Sequence, residues 1–319
     1  PVAVNPHRRQ LLHRLLSLGA LGVAPSALRG KSLYSYRDAD GQLHLSDSPP
    51  AVEDAAVTVR RLAVERAEER LRVYQRGPRQ APRVEVDNRH HGPVEVAFSL
   101  AEGENLHSEP PLPLRLVVPA DSAMTAFRLA ARDARFAWRY RYRYRWTPGD
   151  PAARHDHPSY ALPYASGHRY IIAQAFGGPW SHHDAANRYA VDFGMPEGAP
   201  VHAARAGVVM DVAEDFFSGG SDRQRYLHRA NYLRLLHADG SMAVYAHLRW
   251  ESALVRAGDR VARGQRIAQS GNTGFTTGPH LHFAVQLNRG LRLDSVPFEF
   301  SAREHPRIAP RPGLLLTAT

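Results

Sequence analysis

The 319-residue chain contains 43% hydrophobic residues, 24 glycines, 24 prolines and no cysteine. That length buries a sizeable core and accommodates two or three units, while the lack of thiols excludes a disulfide framework and confines any transition-metal site to histidine and carboxylate. Lys and Arg total 41 against 31 Asp and Glu, a formal charge of +10, which attracts polyanions without specifying which one.

Residues 1–30 read as a signal segment: Arg8-Arg9, a short apolar run from Leu15 to Val23, then small residues. The paired arginines leave the twin-arginine route open, and the run is too short to span a bilayer permanently. Residues 31–50 alternate apolar and polar positions on both sides of Asp40-Gly41, the pattern of a β-hairpin module. Residues 51–82, rich in Arg, Glu and Ala, read as a charged linker or helix with a solvated face. Residues 83–150 carry short strand-like runs and predict a β-sandwich-like domain. Its most regular stretch, Trp138 to Trp146, alternates rings with Arg139, Arg141, Arg143 and Arg145. Period two puts the rings on one face, as core, and the arginines on the other, in water or against an anionic ligand. No oligonucleotide-binding signature accompanies them, so no specific nucleic-acid partner is expected.

Residues 151–305 follow the turn formers Thr147 to Pro151. The trio His155-Asp156-His157 sits among prolines and reads as a satisfied or solvated cluster. Strands are expected on both sides of Gly207, and a hairpin joins Asn231–His237 to Met242–His247 around Asp239-Gly240. Residues 306–319 read as a Pro-rich, mobile tail. The expected fold class is mainly β: a sandwich-like middle domain and a C-terminal antiparallel-β domain.

In Gly278-Pro279-His280-Leu281-His282-Phe283, His280 and His282 fall on one face of a strand while Leu281 and Phe283 turn into the packing. Upstream lie Ser181-His182-His183, Tyr189-Ala190-Val191-Asp192-Phe193, Tyr245-Ala246-His247-Leu248 and Gly271-Asn272-Thr273-Gly274. Together these segments, over Gly167 to Phe300, resemble the M23-type zinc metallopeptidases of the lysostaphin and LytM kind, which cleave peptide bonds in bacterial cell walls. The resemblance implies that His182, Asp192 and His282 bind Zn2+ and that His247 and His280 handle protons. His183 adjoins His182 and only one of the two coordinates readily; the family pattern favours His182. The 31–50 hairpin with its Ser-Asp-Ser-Pro-Pro exit is similar to a small module that precedes envelope domains.

The resemblance further implies a peptidoglycan peptide as substrate, a metal-activated water as nucleophile, and a periplasmic or secreted location in the bacterial envelope. The basic surface fits contact with an anionic wall, and no integral membrane span is expected after signal removal. The rival reading is a catalytically silent M23-like scaffold that binds and activates a cell-wall amidase; such relatives lack some of the five polar residues present here. Tyr189 and Tyr245 are distant candidates for steadying a substrate oxygen.

Overall fold

The computed structural model describes residues 31–37, 43–46, 56–62, 70–156, 159–302 and 305–319. The expected signal segment and His157 lie outside the described residues. Among the described residues no helix is long and apolar enough to cross a membrane.

Lys31–Arg37 pairs antiparallel with Leu43–Ser46 and Thr58–Leu62 adds a third strand, while the expected turn at Asp40-Gly41 lies outside the described residues. That third strand and the strand Leu71–Arg76 correct the linker-or-helix reading of 51–82 at those residues, while residues 51–55 and 63–69 lie outside the described residues. Leu71 and Val73 stand two apart in that strand and both turn into a core. Pairing with Arg83–Asn88 across the turn at Gly77 outweighs the local pattern.

Leu71–Arg76 thereby joins a four-stranded sheet with Arg83–Asn88, Ser122–Ala131 and Leu106–Glu109. A three-stranded sheet of Arg139–Pro148, Val94–Glu104 and Leu114–Val118 faces it. Their inner faces share one cluster containing Val84, Val86, Val96, Phe98, Phe127 and Leu129. Trp138, Tyr140, Tyr142, Tyr144 and Trp146 pack against it, with the Tyr142 ring perpendicular to Phe127 at 5.6 Å. The four arginines of that strand are exposed; Arg139 and Arg141 pair with Glu104 and Glu102 across the ladder.

The C-terminal half is built on a nine-stranded antiparallel sheet. From its second strand to one edge it runs Gly207–Ala213, Tyr232–Leu236, Met242–Ala246, Leu281–Asn288, Val191–Phe193, Arg169–Gln174 and Leu315–Thr317. The last strand corrects the mobile-tail reading of 306–319: it pairs with Arg169–Gln174, Tyr164 donates its hydroxyl to Leu316 O (2.8 Å), and Ala318 is buried. Leu314 and Leu316 pack against the main core, which holds the segment despite its prolines. Behind the sheet Phe283, Tyr160, Phe298 and Phe300 interlock with ring centroids 5.2 to 5.8 Å apart, a packing that edge-to-face quadrupoles favour.

The sandwich abuts the other face at one end. Met210 and Met242 enter its core cluster, and Asn288 donates to both Glu95 Oε2 and Gly149 O, each at 3.0 Å. Gly149 adopts φ +92°, which disfavours any side chain there, and packs against the Met242 side chain.

Candidate metal centre

The register of the large sheet does most of the assembly. Gln174 stands opposite Asp192, Asp192 opposite His282, and His282 opposite Ala246. Directly opposed residues share a face, so three adjacent strands deliver an amide, a carboxylate and an imidazole in one row. His182 reaches the row from the turn region after Gln174. The ligand atoms of His182, Asp192 and His282 lie within 4.8 Å of one another, and all three residues are buried. His182 Nε2 is 3.2 Å and His282 Nδ1 2.9 Å from the same atom, Asp192 Oδ1. His280 Nε2 is 3.9 Å from it, and the His247 ring stacks obliquely on His280 at 4.5 Å and edge-on to His282 at 5.8 Å.

Each imidazole has one nitrogen committed elsewhere. Nδ1 of His182 faces Ala175 O at 2.8 Å, Nδ1 of His247 faces Thr273 O at 2.6 Å, Nδ1 of His280 faces Gly278 O at 2.8 Å, and Nε2 of His282 faces Asn187 Oδ1 at 3.1 Å. An oxygen acceptor there requires the ring proton there, which leaves the opposite nitrogen bare. For His182 and His282 the bare nitrogens aim at a carboxylate oxygen, lone pair against lone pair. Such a set repels itself unless a proton or a metal ion sits among its members, and two imidazole nitrogens with one carboxylate oxygen suit zinc. The donor set therefore fits the implied metal.

Without an ion, a proton takes that place. Burial by itself would raise the Asp192 carboxyl, but its bonds to His182 and His282 hold it well below the usual carboxylate range. Burial depresses the His182 imidazole, yet the Asp192 bond and charge outweigh that and leave it raised. His282 is lowered, chiefly by burial against the pull of Asp192; His247 is lowered strongly, by burial and by the neighbouring His280 and His282. His247 also adopts φ +61°, a sparsely populated backbone state for a residue with a side chain. Gly274, at φ +80° and with Ala230 only 2.6 Å from where a Cβ would stand, closes the turn that presents Thr273 O to His247.

All five residues singled out from the sequence meet here. His183, next to the buried His182, is exposed. His155 bonds Tyr160 OH at 3.2 Å instead of joining the cluster. Tyr245 bonds Ala204 N from within the core and Tyr189 packs edge-on to Phe176, so neither faces the site. Sequence reasoning gave no role to Gln174 and Asn187. Gln174 Nε2 donates to Asp192 Oδ2 at 2.9 Å and to Ser181 Oγ at 2.8 Å, while its Oε1 accepts from Trp180 N at 3.1 Å. Its only signal was a lone amide closing the apolar strand Tyr170-Ile171-Ile172-Ala173.

An antiparallel sheet that presents a buried His-Asp-His cluster defines a β domain with the donors for a metal ion. Residues 186–294 match Peptidase family M23, and residues 20–72 match a domain of unknown function, DUF4124. The chain carries a Peptidase M23 domain, and His182 lies just before the matched segment. An "Uncharacterized metalloprotease" of Haemophilus influenzae is 43% identical over 98 residues, 31% of this chain and 18% of that protein. The peptidoglycan DD-endopeptidase ShyA of Vibrio cholerae is 41% identical over 94 residues, 30% of this chain and 19% of that one. The catalytic domain of lysostaphin from Staphylococcus simulans aligns at 30% identity and a TM-score of 0.28, covering 38% of this chain and 80% of that one. The chain thus spans about a fifth of the length of the first two relatives.

Proposed function

We propose that the protein is a zinc-dependent endopeptidase that hydrolyses peptide bonds in bacterial peptidoglycan, acting in the periplasm or outside the cell. One observation carries the reading: bare nitrogens of His182 and His282 converge on one oxygen of Asp192, with two further imidazoles beside them. His182 Nε2, Asp192 Oδ1 and His282 Nδ1 would hold the ion. Zinc so held supplies Lewis acidity and brings the pKa of water towards about 7. Gln174 fixes the outer oxygen of Asp192, so the inner oxygen stays turned to the histidines.

Hydrolysis adds the hydroxyl of one water to the scissile carbonyl carbon, breaks the C–N bond and delivers a proton to the departing amine. The Nε2 atoms of His247 and His280 are this chain's carriers for that proton traffic, because their Nδ1 atoms are occupied by Thr273 O and Gly278 O. The peptidoglycan peptide as substrate rests on the relatives, ShyA among them, being named for that activity. Contact with an anionic wall is supported by exposed arginines on the sandwich and the +10 charge.

The test combines metal analysis with digestion of purified muropeptides. Wild-type protein should carry about one zinc per chain and release new amine ends; His282→Ala should lose both, and His247→Ala the activity while retaining metal. A wild-type protein that binds zinc and cuts no muropeptide would overturn the reading.

A further inference from the structure

Main-chain carbonyls anchor His182, His247 and His280, whereas His282 is anchored by a side chain, Asn187. A side-chain amide presents either an oxygen or an NH2 group, and the two ends have opposite consequences for the ring. With oxygen towards Nε2, the ring proton stays on Nε2 and Nδ1 is free; with NH2 there, Nε2 must be the bare nitrogen. Asp184 decides between them. Asn187 Nδ2 lies 3.0 Å from both Asp184 Oδ1 and Asp184 Oδ2, and the Asn187 main-chain N donates to Oδ1 at 3.0 Å as well. Rotating the amide by half a turn would set its oxygen against a carboxylate and its NH2 against the Nε2–H. Asn187 is itself 6% exposed, so water does not readily replace the lost bonds.

We propose that Asp184 and Asn187 form a positioning relay: the carboxylate locks the amide, and the amide keeps the His282 proton on Nε2 so that Nδ1 faces the metal. This inference rests on the zinc reading above. The relay explains why His282 alone of the four presents Nδ1, the other three presenting Nε2. It also gives Asp184, a turn residue outside the cluster, a role in metal capture.

The test uses the full chain and zinc alone. Zinc affinity is measured by competition with a chromophoric chelator, and the ring proton is located from imidazole 15N shifts of the metal-free protein, the His282 signals being assigned by their loss in His282→Gln. Asn187→Leu should weaken zinc about 10- to 100-fold, the usual effect of losing a ligand's outer partner, and remove the His282 Nε2–H signature. Asp184→Ala should shift both readouts the same way. The exchanged pair Asp184→Asn with Asn187→Asp restores a donor facing an acceptor and should return affinity to within about threefold of wild type. A merely structural role would not produce that rescue. The melting temperature of each metal-free variant checks the fold, and the exchanged pair keeps the test decisive if Asn187→Leu does not fold. Unchanged affinity and signature in both single variants, or an exchanged pair no better than either, overturns the relay alone. Wild-type protein that takes up no zinc overturns the zinc reading and the relay with it.

Discussion

Acid should weaken this protein through a histidine that has nothing to do with the metal. His90 sits where the sandwich meets the large sheet, its ring 5.1 Å from that of Trp146, and neither ring nitrogen has a hydrogen-bond partner among the described residues. Burial pushes its imidazole from 6.5 down to about 4; Asp211 opposes the shift, and Arg70, Arg234 and His91 reinforce it. Since the folded value is the depressed one, the contribution to stability is complete above about pH 6.5. Between that point and about pH 4 the unfolded chain binds a proton that the folded chain refuses. Stability then falls by about 1.4 kcal/mol per pH unit, to a total of about 3 kcal/mol. His90→Phe keeps an aromatic ring and removes the titration. Urea unfolding followed at intervals from about pH 7.5 to about pH 4.5 should give a slope of stability against pH shallower by about 1.4 kcal/mol per unit in the variant. Parallel slopes would refute the argument. His237, also pushed down to about 4 by burial, acts in the same direction and accounts for part of the slope that remains.

Three further outcomes follow from the site and surface. Chelation should lower the melting temperature, because zinc at about 100 times its Kd contributes about 2.7 kcal/mol to the folded state; calorimetry with and without chelator measures the difference. Gln174→Leu frees the outer oxygen of Asp192 and should weaken zinc by about tenfold, read by chelator competition. Arg143→Glu with Arg145→Glu reverses two exposed charges on the sandwich and should reduce retention on an anionic wall preparation at low salt, the difference vanishing as the Debye length falls to about 3 Å near 1 M.

The mainly β fold class was legible in the sequence, as was the shared face of two candidate site residues, but the strand order was not. His280 and His282 were readable as one face because a strand alternates, and Val191-Asp192-Phe193 shows the same device, a polar residue between two apolar ones. The contact between those strands was not readable: the Asp192 to His282 register comes from pairing across 90 residues, and only resemblance to a family supplied it. Leu71–Arg76 was lost to its charges, since strand pairing with Arg83–Asn88 is invisible in local composition. Leu315–Thr317 was lost to its prolines for a similar reason. Asn187 escaped notice because an amide's role depends on which end faces the ring, a matter of geometry.

Stability and metal capture should separate cleanly in this protein, because different parts of one strand carry them. Phe283 points away from the site and packs edge-to-face with Tyr245 at 5.1 Å and Phe298 at 5.2 Å. Its neighbour His282 points the other way, and ladder pairing to Val191–Phe193 and Met242–Ala246 sets its position. Phe283→Ala therefore should cost about 3–5 kcal/mol by opening a cavity, while the paired backbone still presents His282 to Asp192. Zinc affinity measured well below the melting temperature should remain within about threefold of wild type, against the roughly tenfold loss expected for Gln174→Leu with little change in stability. If affinity in Phe283→Ala instead falls as steeply as stability, the aromatic core rather than the strand ladder holds the ligands in place, and the row of paired residues is not what builds the centre.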